Sequence, residues 1–117
     1  MANTEEKYVE YQLIAPACES CSRPEEERGY VRFDLKHRKM LFLAGEEDWP
    51  NERKIDSLAL AHRMHTLRAI FASDPIGFAE ADESTGWFHY GQLMGDITRL
   101  IALCESVPKG TVKVRLV

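Results

Sequence analysis

No apolar run in the chain is long enough to cross a bilayer, so no segment reads as a membrane span. The start, Met1 to Lys7, is polar and acidic. It has neither the basic opening nor the apolar middle of a secretory signal, and a soluble, cytoplasmic protein is the expectation. Cysteine is scarce and odd in number: Cys18, Cys21 and Cys104 do not make a secreted disulfide framework. Internal repeats and low-complexity segments are absent, which excludes solenoids and linkers. There is no Gly-rich phosphate loop, no nucleophile elbow and no Ser/His/Asp spacing that defines a triad. The expectation is therefore a protein that is not an enzyme. Positive charge is also short, with 15 Lys and Arg against 19 Asp and Glu, a net charge of −4. That balance argues against general nucleic-acid binding, which needs clustered cations, and the acidic neighbours of the basic residues argue against sequence-specific binding.

What is present is the composition of a globular domain. At 117 residues the chain is the size of one domain, here taken as residues 1–117 with a disordered start over 1–6. Its apolar fraction of 44% and charged fraction of 29% suffice for a packed core without metal or disulfide.

Period-two alternation marks the strands. Val9, Tyr11 and Leu13 alternate with Glu10 and Gln12 over Tyr8 to Ile14. Val31, Phe33 and Leu35 alternate with Arg32 and Asp34 over Tyr30 to Leu35. Met40 to Ala44 is a second apolar run, joined to the first by Lys36-His37-Arg38-Lys39, and the pair reads as a hairpin. Val112, Val114 and Leu116 alternate with Lys113 and Arg115 over Thr111 to Val117. Between the first two strands, Ala15 to Arg28 reads as a long exposed connection.

Two segments have helical spacing. Trp49-Pro50-Asn51 looks like a helix start, and a helix is expected from Asn51 to Ala72. Its main face is Leu60, Met64, Leu67 and Phe71; a second face carries Ile55, Leu58, His62, His65 and Ala69. Asp74-Pro75 ends it. Residues 76–87 are expected to be loop with a short strand at Phe78 to Ala81. A second helix, Phe88 to Val107, carries the stripe Tyr90, Leu93, Met94, Ile97, Leu100, Ile101 and Cys104, and Pro108 and Gly110 stop it. The order β-β-β-α-α-β implies an α+β fold: a mostly antiparallel four-stranded sheet with two helices packed on one face.

Few residues suggest chemistry. Cys18-Glu19-Ser20-Cys21 has the spacing by which two thiolates grip one metal ion. Zinc would need further ligands, for which His62 and His65, three apart on one helix, are the first candidates and His37 and His89 the next. A thioredoxin-like role would need a long helix after the pair, and Pro24 forbids one. Lys36 to Lys39 is the densest basic cluster, with Lys113 and Arg115 as neighbours across the sheet; a solvated turn is its plainer reading. Glu25 to Glu27, Glu46 to Asp48 and Glu80 to Glu83 read as solvated acidic surface. Trp87-Phe88-His89-Tyr90 is aromatic-rich, and Cys104 reads as a core thiol.

The functional expectation is a small protein-binding module, a regulator or inhibitor that acts by contact. The interface residues would be Ile55, Leu58, His62 and His65, with Trp87 as an outlying anchor, facing another protein or a second copy in a homodimer. In size, acidity and want of motifs the chain resembles small phage and mobile-element proteins that bind and block host factors, and that resemblance implies a protein partner. The alternative is a small zinc domain held by Cys18, Cys21, His62 and His65; under the first reading no cofactor is required.

Overall fold

The computed structural model describes residues 7–18, 20–46, 49, 53–81 and 86–117. The elements in chain order are β1 (Tyr8–Ala15), β2 (Glu26–Asp34), a 3-10 turn (Leu35–His37), α1 (Arg38–Leu43), β3 (Arg53–Asp56), α2 (Ser57–Ser73), α3 (Pro75–Glu80), α4 (Gly86–Ser106) and β4 (Thr111–Leu116). The four strands form one antiparallel sheet in the order β2-β1-β4-β3. The two long helices, α2 and α4, pack on each other and on one face of it. The class is α+β. Setting the short helices aside, the order is β-β-β-α-α-β.

The core is built by the stripes that periodicity marks. Val9, Tyr11, Leu13, Phe33, Val112 and Val114 point from the sheet to the helices. Leu60, Met64, Leu67 and Phe71 of α2 and Leu93, Ile97, Leu100 and Cys104 of α4 meet them. Each large side chain so buried contributes about 1.5–3 kcal/mol. Two glycines suit this packing: a Cβ on Gly110 would stand 3.0 Å from the Ile14 carbonyl oxygen and 2.8 Å from Ser57 Oγ. At Gly29 φ is +156°, beside the register slip between Leu13 and Ile14, and a Cβ there would come within 3.0 Å of Leu103 Cδ1.

Helix direction fixes the two ends of the molecule. Ser57 begins α2 beside β4, its N–H donating to Gly110 O at 3.0 Å, and α4 returns to the same Thr111 end. The connection from α2 through α3 into α4 is therefore at the opposite end. There Tyr8 pairs with Asp34, and the rings of His37 and His89 stand 6.2 Å apart.

Several local expectations change. Met40–Ala44 is not a strand, and Lys36 to Lys39 is not a hairpin turn. The chain turns through Leu35–His37 into α1. His37, Met40 and Leu41 lie at helical spacing and are buried, while Phe42 and Leu43 are exposed, a pattern no strand can satisfy. The third strand is instead Arg53–Asp56, taken from the expected first helix, which begins only at Ser57. Ile55 therefore lies in a strand, where it pairs with Val112. Phe78 belongs to a helix, not a strand. Asp74 caps it by accepting from Gly77 N–H at 3.0 Å, and Pro75 occupies the first turn. The connection after β1 is shorter than Ala15 to Arg28, because β2 starts at Glu26. The expected disorder of 1–6, the helix start at Pro50-Asn51, Glu47-Asp48 and the loop at Asp82 to Thr85 lie outside the described residues.

Candidate functional site

The sheet has one face covered by helices and one left open. On the open face β1 contributes Tyr8, Glu10, Gln12 and Ile14, since their neighbours Val9, Tyr11 and Leu13 are core. Register sets rows across it. Tyr30, Gln12, Lys113 and Lys54 form one row over all four strands. Arg32, Glu10 and Arg115 form the next. Glu27, Ile14, Thr111 and Asp56 form the row at the Thr111 end.

Glu10 is the unexpected member. Alternation places it on a solvent face, yet it is only 3% exposed. Arg32 Nε donates to its Oε2 at 2.9 Å, and Arg115 Nε and Nη2 donate to its Oε1 at 3.1 and 2.9 Å. Burial alone would raise its pKa. The hydrogen bonds and charges of the two arginines together outweigh burial and hold the carboxyl below its ordinary 4.5. Beside this clamp is a hollow of about 560 Å³ lined by Gln12, Arg53, Lys54, Lys113, Val114 and Arg115. Lys54, Lys113 and Arg115 are its cations on this face, since Arg53 pairs with core-facing Val114, and no described carboxylate lines it. Lys54 and Lys113 are directly opposed across β3 and β4. Tyr30 is 54% exposed, with the Arg32 guanidinium 4.9 Å from its ring centre.

The end opposite Thr111 exposes large apolar side chains next to the basic residues Lys36, Arg38 and Lys39. Phe42 and Leu43 of α1, Ile76 of α3, and Trp87 and Phe88 of α4 are each more than half exposed, at 56%, 53%, 58%, 59% and 70%. α3 packs against both α1 and α4, so the five residues lie on contiguous elements. Beneath them His37 is fully buried against Phe33 and His89. Neither of its ring nitrogens makes a hydrogen bond of normal geometry. Burial lowers its pKa below 6.5; Asp34 and Gln92 act in the other direction, and His89 adds to the lowering.

Cys18 and Cys21 occupy a small closed loop. Cys18 N–H donates to Arg23 O at 2.7 Å and Arg23 N–H to Cys18 O at 3.0 Å, with Ser22 in the left-handed region at φ 55°. Cys18 Sγ lies 3.3 Å from Ser20 Oγ. Hydrogen bonding from the Cys21 thiol, then from Ser20, lowers the Cys18 pKa to about 7. Cys104 is buried in α4, and burial pushes its thiol up to about 11.

The expected sites are only partly assembled. Leu58, His62 and His65 share the exposed side of α2, as their spacing implies. Ile55 is half-buried against the core on β3. Trp87, in the first turn of α4, and Leu58, in the first turn of α2, stand at opposite ends of the molecule. His65 is engaged at the surface, 3.4 Å from Glu105 and 3.1 Å from Arg68. No group of three or more His, Cys, Asp or Glu side chains is gathered to hold a metal among the described residues. The four-ligand set Cys18, Cys21, His62 and His65 is thus not brought together. Lys113 neighbours Lys54, and Arg115 shares Glu10 with Arg32 across β1; neither neighbours the Lys36–Lys39 cluster, which rides on α1 and the turn before it. The basic hollow has a faint trace in the sequence, the Lys113/Arg115 alternation. The exposed Phe42 and Leu43 are visible only once that segment is read as helix.

No helix among the described residues is long and apolar enough to cross a membrane. Fold and site together define a two-layer α+β protein with an open basic sheet face and an apolar end. Comparison with protein families, with curated proteins and with solved structures finds no match to this chain.

Proposed function

We propose that the protein is a non-catalytic binding module, a regulator or inhibitor that holds another protein chain on its apolar end. The observation that carries this reading is the exposure of Phe42, Leu43, Ile76, Trp87 and Phe88 on three contiguous helices. Monomers rarely expose large apolar side chains in one place, because each leaves hydrophobic stabilisation unused. Trp and Phe are also the anchors that dominate protein interfaces. The simplest occupant is a second copy, since a self-complementary patch closes with two-fold symmetry.

Sedimentation velocity on the wild type and on Phe88→Asp tests it. The expected result is a wild-type dimer and a monomeric, folded variant. Both monomeric, the partner is a different protein. A chain captured by immobilised wild type but lost with Trp87→Asp/Phe88→Asp then identifies it. Capture unaffected by the double substitution sinks the reading.

A further inference from the structure

The open sheet face is a separate surface from the apolar end, and its chemistry is different. Lys54 and Lys113 face each other directly across β3 and β4. Like charges so placed repel and destabilise the pair. No carboxylate among the described residues pairs with either lysine, although the chain as a whole has a net charge of −4. Of the described carboxylates of this face, Asp56 and Glu27 lie in the row at the Thr111 end, and half-buried Asp34 pairs with Tyr8 at the other end. Glu10, the carboxylate nearest the lysines' row, is buried and already bonded to Arg32 and Arg115. The hollow between β1, β4 and β3 therefore concentrates the charge of two lysines that no described carboxylate on the face neutralises, beside Arg115, which Glu10 engages.

The charge alone would suit any oxyanion. The row of Lys54, Lys113 and Gln12 ends in Tyr30, however, and that narrows the choice. Strands lie about 4.8 Å apart, so the Tyr30 ring stands roughly 10 Å from Lys113 along the row. An exposed aromatic offers a stacking surface to a base and nothing comparable to a carboxylate. The face is also a broad sheet, open to a splayed strand and without a protruding helix to enter a duplex groove. We propose that this face binds single-stranded nucleic acid without reading its sequence, with phosphates over Lys54, Lys113 and Arg115 and a base stacked on Tyr30. Arg32 holds the Tyr30 ring from one side. Affinity comes from phosphates and stacking, so every base is accepted.

The test is fluorescence anisotropy of the full chain with labelled oligo(dT), oligo(dA) and oligo(dC) of roughly 12 nucleotides. Binding of all three within a few-fold of one another is expected. Affinity should fall about 20- to 50-fold as salt rises from about 50 to about 200 mM, the loss that three to four neutralised phosphates imply. Tyr30→Ala should weaken binding about tenfold. Lys54→Gln/Lys113→Gln should weaken it more and lower the salt slope by about 1.4. The double variant should melt no earlier than the wild type, because the opposed charges are gone. If it does melt early, Lys54→Gln alone, on the edge strand, serves as the charge variant. Free oligonucleotide at the lowest salt overturns the proposal. So does tighter binding of duplex, or binding that Tyr30→Ala leaves unchanged while a poly-glutamate peptide competes equally, which would make the ligand an acidic protein.

Discussion

Glu10 of β1 and Arg115 of β4 are directly opposed across the sheet, and one carboxylate oxygen accepts two N–H groups of the guanidinium, at 2.9 and 3.1 Å. Arg32 takes the other oxygen from the β2 side. One buried carboxylate thus ties three strands together on the face that no helix covers. Charge-assisted hydrogen bonds of this kind are stronger than neutral ones.

Glu10→Gln keeps the shape of the side chain and removes its charge. It should cost about 2 kcal/mol in urea unfolding at neutral pH. The folded pKa is lowered, so this stabilisation is fully present above the ordinary value of 4.5. It is lost as pH falls through the lower folded value. Wild type and Glu10→Gln should therefore converge in stability at acid pH. A constant difference between them down to about pH 2 would show that the contribution of Glu10 does not depend on its ionisation.

His37 titrates with a consequence of the same sign. Burial holds its folded pKa below 6.5, so the unfolded chain takes up the proton first as pH falls. Stability is then full above 6.5 and declines as pH drops from there toward the folded value. The groups around it are Asp34, Gln92 and His89, and only the first two favour the proton. His37→Leu should remain within about 1.5 kcal/mol of wild type near pH 7.5, since the ring makes no hydrogen bond of normal geometry to lose. It should also show a smaller drop in unfolding free energy between about pH 7.5 and about pH 5.5 than the wild type shows. An equal drop would place the titration elsewhere.

The three thiols should separate by reactivity. Iodoacetamide should alkylate Cys18 with half-maximal rate near pH 7, where its thiolate forms. Cys104 should stay unlabelled in the folded protein, because it is buried and its thiol is pushed up to about 11. Cys21→Ser should shift the Cys18 profile upward, since the Cys21 thiol is the largest cause of its lowering. Peptide mass spectrometry reads the sites directly, and fast labelling of Cys104 in native buffer would contradict its burial.

Periodicity by itself determined the class of the protein, the two long helices and the strands at each end. Leu60, Met64, Leu67 and Phe71 are buried as their spacing implies, and so are Leu93, Ile97, Leu100 and Cys104. Val9, Tyr11 and Leu13 face Val112 and Val114 as alternation implies. These patterns are local, and each requires only that one side of an element be dry. Tertiary structure decided the rest. Met40 to Leu43 is short enough to satisfy either period, and it is helix because His37, Met40 and Leu41 fit beneath one surface together. Arg53–Asp56 is a strand because β4 offers it a free edge, an attraction no property of those four residues announces. Register alone sets Lys54 against Lys113 and puts Glu10 between two arginines. Register is a relation between distant segments, settled by what packs opposite, so the basic hollow and the apolar end exist only in the folded chain.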